Sequence, residues 1–212
     1  MKKYLLLTAV VVSSLMACKK EDVTPDANEI KCTQCIQFDN MEVGQISKYV
    51  KFEGENYIEK SNPKITYEAD TLIWEITEQQ GDVYIIQERQ LGQTGAMPIY
   101  RVQRQDNKMV FRNADDVLLY ELPLDKIETP KAQPKGWEIG LTCQEEPCTG
   151  FVENHEQNGK TFEHLNIYKD YTPMHVDGPG SFLLYDPSLG VVRHAWTGSW
   201  IPVGGGWDLI TD

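Results

Sequence analysis

Two short stretches contain the residue types that acid–base or metal chemistry requires. The stretch ENHEQ is centred on His155, and the stretch MHVD places His175 two residues before Asp177. Residues two apart in a β-strand point to the same face, so His175 and Asp177 could hold a metal ion or orient an imidazole for proton transfer. His155, His175 and Asp177 are therefore the candidate catalytic residues of a hydrolase.

No longer signature supports this enzyme hypothesis. The sequence has neither an HExxH pair of zinc ligands nor a GxSxG turn around a nucleophilic serine. A histidine two residues from an aspartate is a short pattern that often occurs by chance. The sequence therefore favours a protein without catalytic activity, and it predicts no metal ion and no cofactor.

The stretch WTGSWIPVGGGWDLI, near the C-terminus, suggests binding rather than catalysis. Trp196, Trp200 and Trp207 lie close together, with three consecutive glycines before the last of them. Tryptophans in loops can form flat surfaces for sugars or partner proteins. Tryptophans can equally cap a hydrophobic core while the glycines bend the chain, and this second interpretation is the more common one.

The first residues have the pattern of a signal peptide. Lys2 and Lys3 precede a mostly apolar run, residues 4–17, that is too short to span a bilayer as a helix. Residues 1–17 are therefore predicted to be removed. This segment holds two lysines and no acid, so the net charge changes from −12 to −14. Such acidity argues against a nucleic-acid partner and against attachment to anionic lipid by charge.

The junction after this segment resembles two bacterial sorting signals. Residues 15–18, LMAC, resemble a lipobox, which implies cleavage before Cys18 and attachment of acyl chains to it. Residues 19–22, KKED, resemble the surface-export signal of Bacteroidota lipoproteins. The resemblance implies a protein anchored to the outer membrane through covalent lipid and facing the cell exterior.

Four cysteines remain once Cys18 is assigned to the anchor: Cys32, Cys35, Cys143 and Cys148. In the cytosol two such pairs would suggest a zinc site, whereas the oxidising envelope favours disulfides. Four cysteines allow three connectivities. We favour the two local pairs, because each pair lies beside turn-forming residues.

The rest of the chain has the pattern of an all-β protein. Short runs alternate apolar and polar residues, as Leu72, Trp74 and Ile76 do, and glycine, proline or asparagine separates them. Residues 18–35 are predicted to be the lipidated cysteine and a polar tether. Residues 36–212 are predicted to be one β domain, an antiparallel sandwich or partly open barrel, with a proline-rich crossover at 123–136.

Two further stretches resemble a group of uncharacterised β-rich envelope lipoproteins. They are FDNMEVGQISKYVKF, residues 38–52, and YDPSLGVVRHAW, residues 185–196. The resemblance lies in turns next to strands and implies a curved antiparallel sheet, and it implies no reaction. The sequence thus predicts a lipid-anchored binding or structural module with a glycan or protein ligand.

Overall fold

The computed structural model describes residues 30, 32–55, 64–135, 138–141, 147–171, 180–197 and 204–211. These residues form thirteen strands and no helix, as the sequence predicts for an all-β fold. No helix in this described part of the chain has the length and apolarity needed to cross a membrane. The strands are β1 (Ile46–Gly54), β2 (Ile65–Gln80), β3 (Val83–Gln90), β4 (Ile99–Gln105), β5 (Lys108–Asn113), β6 (Leu118–Pro123), β7 (Gln133–Lys135), β8 (Glu138–Gly140), β9 (Cys148–Gln157), β10 (Lys160–Tyr171), β11 (Gly180–Asp186), β12 (Gly190–Thr197) and β13 (Gly204–Leu209).

Eleven of the strands form one antiparallel sheet in the order β6-β5-β4-β3-β2-β1-β13-β12-β11-β10-β9. It consists of two meanders, β1–β6 and β9–β13, and the pairing of β1 with β13 joins them. The sheet curls into a half-barrel, which agrees with the predicted partly open barrel. Strands β7 and β8 form a separate small ribbon.

Local sequence explains much of this strand pattern. Leu72, Trp74 and Ile76 alternate along β2 and are all buried, because a strand places every second side chain on one face. Asn158 and Gly159 both have positive φ in the turn between β9 and β10, as a tight hairpin turn requires.

The curl brings the end of the first meander over the second. The Tyr120 ring of β6 lies 5.7 Å from that of Tyr168 on β10 and 6.4 Å from that of His194 on β12. The Tyr185 hydroxyl donates a hydrogen bond to the Pro123 carbonyl, 2.9 Å away. We call the side of the sheet that carries these rings the inner face, and the opposite side the outer face.

The N-terminal segment closes one end of this structure. Cys32 and Cys35 form a disulfide with Cα atoms 5.4 Å apart, so the local pairing holds for these two. Both are buried and Ile30 packs against the core, so the packed domain extends to Ile30, before the predicted boundary at Ile36. The Phe38 amide then donates to the Pro187 carbonyl, 2.8 Å away. We call this end, where β1 begins, the lower end, and the opposite end the upper end.

The segment that follows β6, residues 124–135, lies within the predicted crossover and leads into the small ribbon of β7 and β8. The Asn166 side chain of β10 holds it in place by bonding the carbonyl of Asp125 and the amide of Ile127. Lys131 then forms a parallel bridge with Phe151 of β9. The crossover thus covers part of the sheet edge at β9 and leaves fewer backbone groups unpaired there.

Candidate functional site

Strand registers bring five residues into a row at the upper end of the inner face. In spatial order they are Asp170, Ser181, Trp196, Gly205 and Glu53, from β10, β11, β12, β13 and β1. Directly opposed residues of antiparallel strands share a face, so the five residues face the same way. We call this row, together with Trp207, the inner-face platform.

Trp196 is the centre of the platform. Its side chain is 38% exposed, which is high for an aromatic residue of this size. A Cβ on Gly205 would lie 3.5 Å from the Trp196 ring atom Cζ2 and 2.7 Å from the Phe52 carbonyl oxygen. The indole of Trp196 therefore lies beside Gly205, and the close approach of the Phe52 carbonyl leaves no room for a side chain at this position.

Trp207 supports this surface from the next row. It lies opposite both His194 and Lys51, and it is partly buried against the core. The Lys51 ammonium is 2.7 Å from the Glu68 carboxylate, and this hydrogen bond raises the pKa of Lys51. The Lys51 ammonium also lies 4.0 Å from the Glu53 carboxylate, so it partly neutralises this acid of the platform.

Two exposed carboxylates stand on either side of Trp196. Asp170 and Glu53 each lie two strands away from it, which corresponds to roughly 10 Å of lateral distance. Burial, followed by the charge of Asp170, raises the pKa of Tyr168 to about 12, so this phenol stays protonated. The platform thus combines one flat apolar ring with acceptor groups on both sides.

Partly buried hydrogen bonds fix the aromatic core of the first meander on the same inner face. The Trp74 indole Nε1 and the Tyr100 hydroxyl both donate to Glu88, at 2.7 and 2.9 Å. Burial, and then the charge of Glu88, raises the pKa of Tyr100. The rings of Trp74 and Tyr100 lie 5.2 Å apart, so this wall of the inner face is held rigidly.

Of the three predicted catalytic residues, the structure describes only His155. His155 lies on β9 and is buried, and its Nε2 atom has no hydrogen-bond partner. Burial, and then the charge of Arg193, lowers the pKa of His155 to about 3. His175 and Asp177 lie outside the described residues. Within the part of the chain described, no group of three or more His, Cys, Asp or Glu could hold a metal ion.

Other predicted residues have mixed outcomes. Trp196 and Trp207 share the inner face, while Trp200 lies outside the described residues. Cys148 is disulfide-bonded, and Cys143 and Cys18 also lie outside the described residues.

The chain matches no protein-family model, no curated protein and no solved structure.

Proposed function

We propose that this protein is a lipid-anchored binding module of the outer membrane, displayed on the cell exterior, whose ligand is a neutral saccharide. The observation that carries the proposal is the exposed Trp196, which lies beside Gly205 in a strand row that has the carboxylates of Asp170 and Glu53 on either side. A sugar ring has an apolar C–H face that packs on an indole, and hydroxyl groups at its edge that donate to carboxylates.

The charge of the protein narrows the class of sugar. A net charge of −12, with exposed acids at both ends of the platform, repels sulfated or uronic-acid polymers. Neutral hexose oligomers lack this repulsion and supply many hydroxyl donors. The platform also lies on ordered strands, which lowers the entropy lost on binding.

The proposed location on the outer membrane rests on the lipobox and the export signal in the sequence. Cys18 would carry the acyl chains, and residues 19–22 would direct export to the outer face. Core packing begins at Ile30, which leaves residues 19–29 as the proposed connection to the lipid.

Ligand binding is tested with the purified full chain and a panel of neutral and acidic oligosaccharides, read by tryptophan fluorescence and calorimetry. We expect saturable binding of at least one neutral oligosaccharide and loss of that binding in Trp196→Ala. Leu91→Ala removes an exposed apolar side chain elsewhere and serves as the matched control. The saccharide proposal fails if no neutral sugar binds, or if Trp196→Ala binds as well as the parent. If a protein binds at Trp196 and no sugar does, the saccharide proposal is wrong and the ligand of the platform is a partner protein.

The proposed lipid anchor and surface location are tested in separate experiments. Cys18→Ala should release the protein from the membrane fraction. Neutralising Lys19, Lys20, Glu21 and Asp22 should remove the accessibility of the protein to protease on intact cells. Unchanged exposure after the second change would contradict the export signal.

A further inference from the structure

A cavity lies at the lower end of the molecule, away from the platform. Its cavity has a volume of 350 Å³ and lies between the β2–β3 turn, strands β4 and β5, and the N-terminal segment. Pockets for small molecules begin at about this size, so a ligand here is limited to one small molecule.

The floor of this cavity is apolar and adaptable. Phe38, Met41 and Met109 line it and are otherwise buried, and Tyr84 contributes a half-buried ring. Methionine side chains are flexible and polarisable, so they adjust to apolar groups of differing shape. Gly81, in the turn that lines the cavity, has no atom within 4 Å of the place where a Cβ would lie.

Charged side chains of both signs line the cavity, and two of them have no partner among the described residues. Arg104 follows Val102 on the inner-facing side of β4, and Asp39 lies on the N-terminal segment. Neither side chain forms an ion pair or hydrogen bond with another described residue. A third charge, Asp82, accepts a hydrogen bond from Gln103 Nε2 at 2.5 Å. An unpaired guanidinium is notable in a chain with a net charge of −12.

We propose that this cavity binds a free α-amino acid with an apolar side chain. The guanidinium of Arg104 would pair with the ligand carboxylate, as arginine pairs bidentately with such groups. The carboxylates of Asp39 and Asp82 would accept hydrogen bonds from the ligand ammonium. The side chain would then enter the floor formed by Phe38, Met41 and Met109.

The charge pattern excludes the simpler ligands. The carboxylate of a fatty acid would be attracted by Arg104 but repelled by the two aspartates. The ammonium group of an alkylamine would be attracted by the aspartates but repelled by Arg104. Only a zwitterion satisfies both signs while covering the apolar floor. This site is independent of the platform, since the two lie at opposite ends of the sheet.

Calorimetric titration of the purified full chain with L-methionine, L-leucine and L-phenylalanine tests the proposal. We expect saturable binding, a roughly tenfold or greater loss of affinity in Arg104→Gln, and a similar loss in Asp39→Asn. Arg101→Gln is the matched control, because Arg101 lies on the same strand with its side chain on the opposite face, 3.8 Å from Asp116. It should change affinity less than twofold, a small effect for a surface charge.

Ligand analogues test the same point without any variant. N-acetyl-L-methionine lacks the ammonium and L-methioninol lacks the carboxylate, so both should bind the parent protein much more weakly than L-methionine. Octanoate or hexylamine binding as tightly as L-methionine would overturn the zwitterion assignment. Absence of saturation by all three amino acids, or unaltered affinity in Arg104→Gln, would overturn the site itself. The saccharide experiment is unaffected by any of these outcomes.

Discussion

The two faces of the β12–β13 pair differ sharply although the same two strands supply both. On the outer face, Arg193 and Asp208 are fully buried and form two hydrogen bonds, of 2.6 and 2.7 Å. On the inner face, one residue further along β12, His194 is half-buried, and Trp196 is exposed at the end of the strand. We call these the closed face and the open face.

The closed face is closed because other parts of the chain fold over it. The Tyr67 hydroxyl donates to Asp208 at 2.8 Å, and the Arg193 guanidinium lies 4.6 Å from the centre of the Phe52 ring. Gln157, at the end of β9, donates to the carbonyls of Val192 and Leu209. The tip of the β9–β10 hairpin therefore covers the strand pair from outside.

The difference shows where this fold leaves room for a ligand. On the closed face every charge has a partner, so it can serve stability but offers nothing to an outside molecule. On the open face the first meander covers the rings as far as His194 and stops before Trp196. The incomplete cover, rather than a special residue type, creates the platform.

The largest expected effect comes from breaking the charge pair of the closed face. Arg193→Met leaves the Asp208 carboxylate buried without its cation and should reduce the free energy of unfolding by about 3–5 kcal/mol. Urea denaturation measures this loss. Arg101→Met, at an exposed pair, should cost less than about 1 kcal/mol. Equal losses in the two variants would show that the buried pair has no special role.

The next largest effect is a steric one on the same face. A Cβ at Gly206 would lie 2.3 Å from the His194 carbonyl oxygen and 2.7 Å from Phe52 Cε1. Gly206→Ala should therefore reduce stability by about 3 kcal/mol through overpacking. Gly95→Ala, where a Cβ would meet no atom within 4 Å, is the control and should leave the melting temperature nearly unchanged. An unchanged melting temperature in Gly206→Ala would mean that β12 and β1 can move away from Gly206 and accept the extra methyl group at little cost.

A third effect depends on pH. The pKa of His155 is about 3 in the folded protein and near 6.5 in the unfolded chain. Between about pH 3 and 6.5, His155 is therefore protonated more readily in the unfolded chain than in the folded protein. The stabilisation by neutral His155 is complete above about pH 6.5 and decreases as the pH falls toward 3. His194, with a pKa of about 4, acts in the same direction.

Urea titrations at pH 7.5 and 4.5 measure this dependence. His155→Gln should remove about 2 kcal/mol of the pH-dependent loss, while the contribution of titrating carboxylates remains in both proteins. An unchanged difference between the two pH values would show that His155 is already protonated or exposed in the native state.

The smallest effect on stability is expected at the open face. Trp196→Ala should reduce the free energy of unfolding by about 1–2 kcal/mol, because 38% of the residue is already in water. Trp74→Ala, which empties a buried site, should cost about 3–5 kcal/mol. A large loss in Trp196→Ala would identify this tryptophan as a core residue and would remove the contrast between the faces.

Sequence reasoning predicts the strands better than their partners. The run SFLLYD, buried along almost its whole length in β11, and the Asn158–Gly159 turn are local signals, so both could be read directly. The pairing of β1 with β13 joins residues at opposite ends of the domain. No local pattern encodes this pairing, which depends on how the whole sheet curls.

The same limit applies to the site. Trp196 and Trp207 are conspicuous in the sequence, because tryptophan is large and the two lie close together. Asp170 and Glu53 were missed because they reach the platform only through the registers of four strand pairs. In an acidic chain with 32 Asp and Glu residues, nothing local distinguishes these two.

Because the N-terminal segment is attached at the lower end, its length limits the distance between the platform and the membrane. If Cys18 carries the lipid, residues 19–29 span at most about 40 Å, and the nine residues of β1 add about 30 Å. The platform then lies at the far end of the molecule from the bilayer, up to roughly 70 Å above it. The platform could thus reach a ligand on a long surface polymer above the lipid headgroups, and the cavity at the lower end would lie about 30 Å closer to the bilayer.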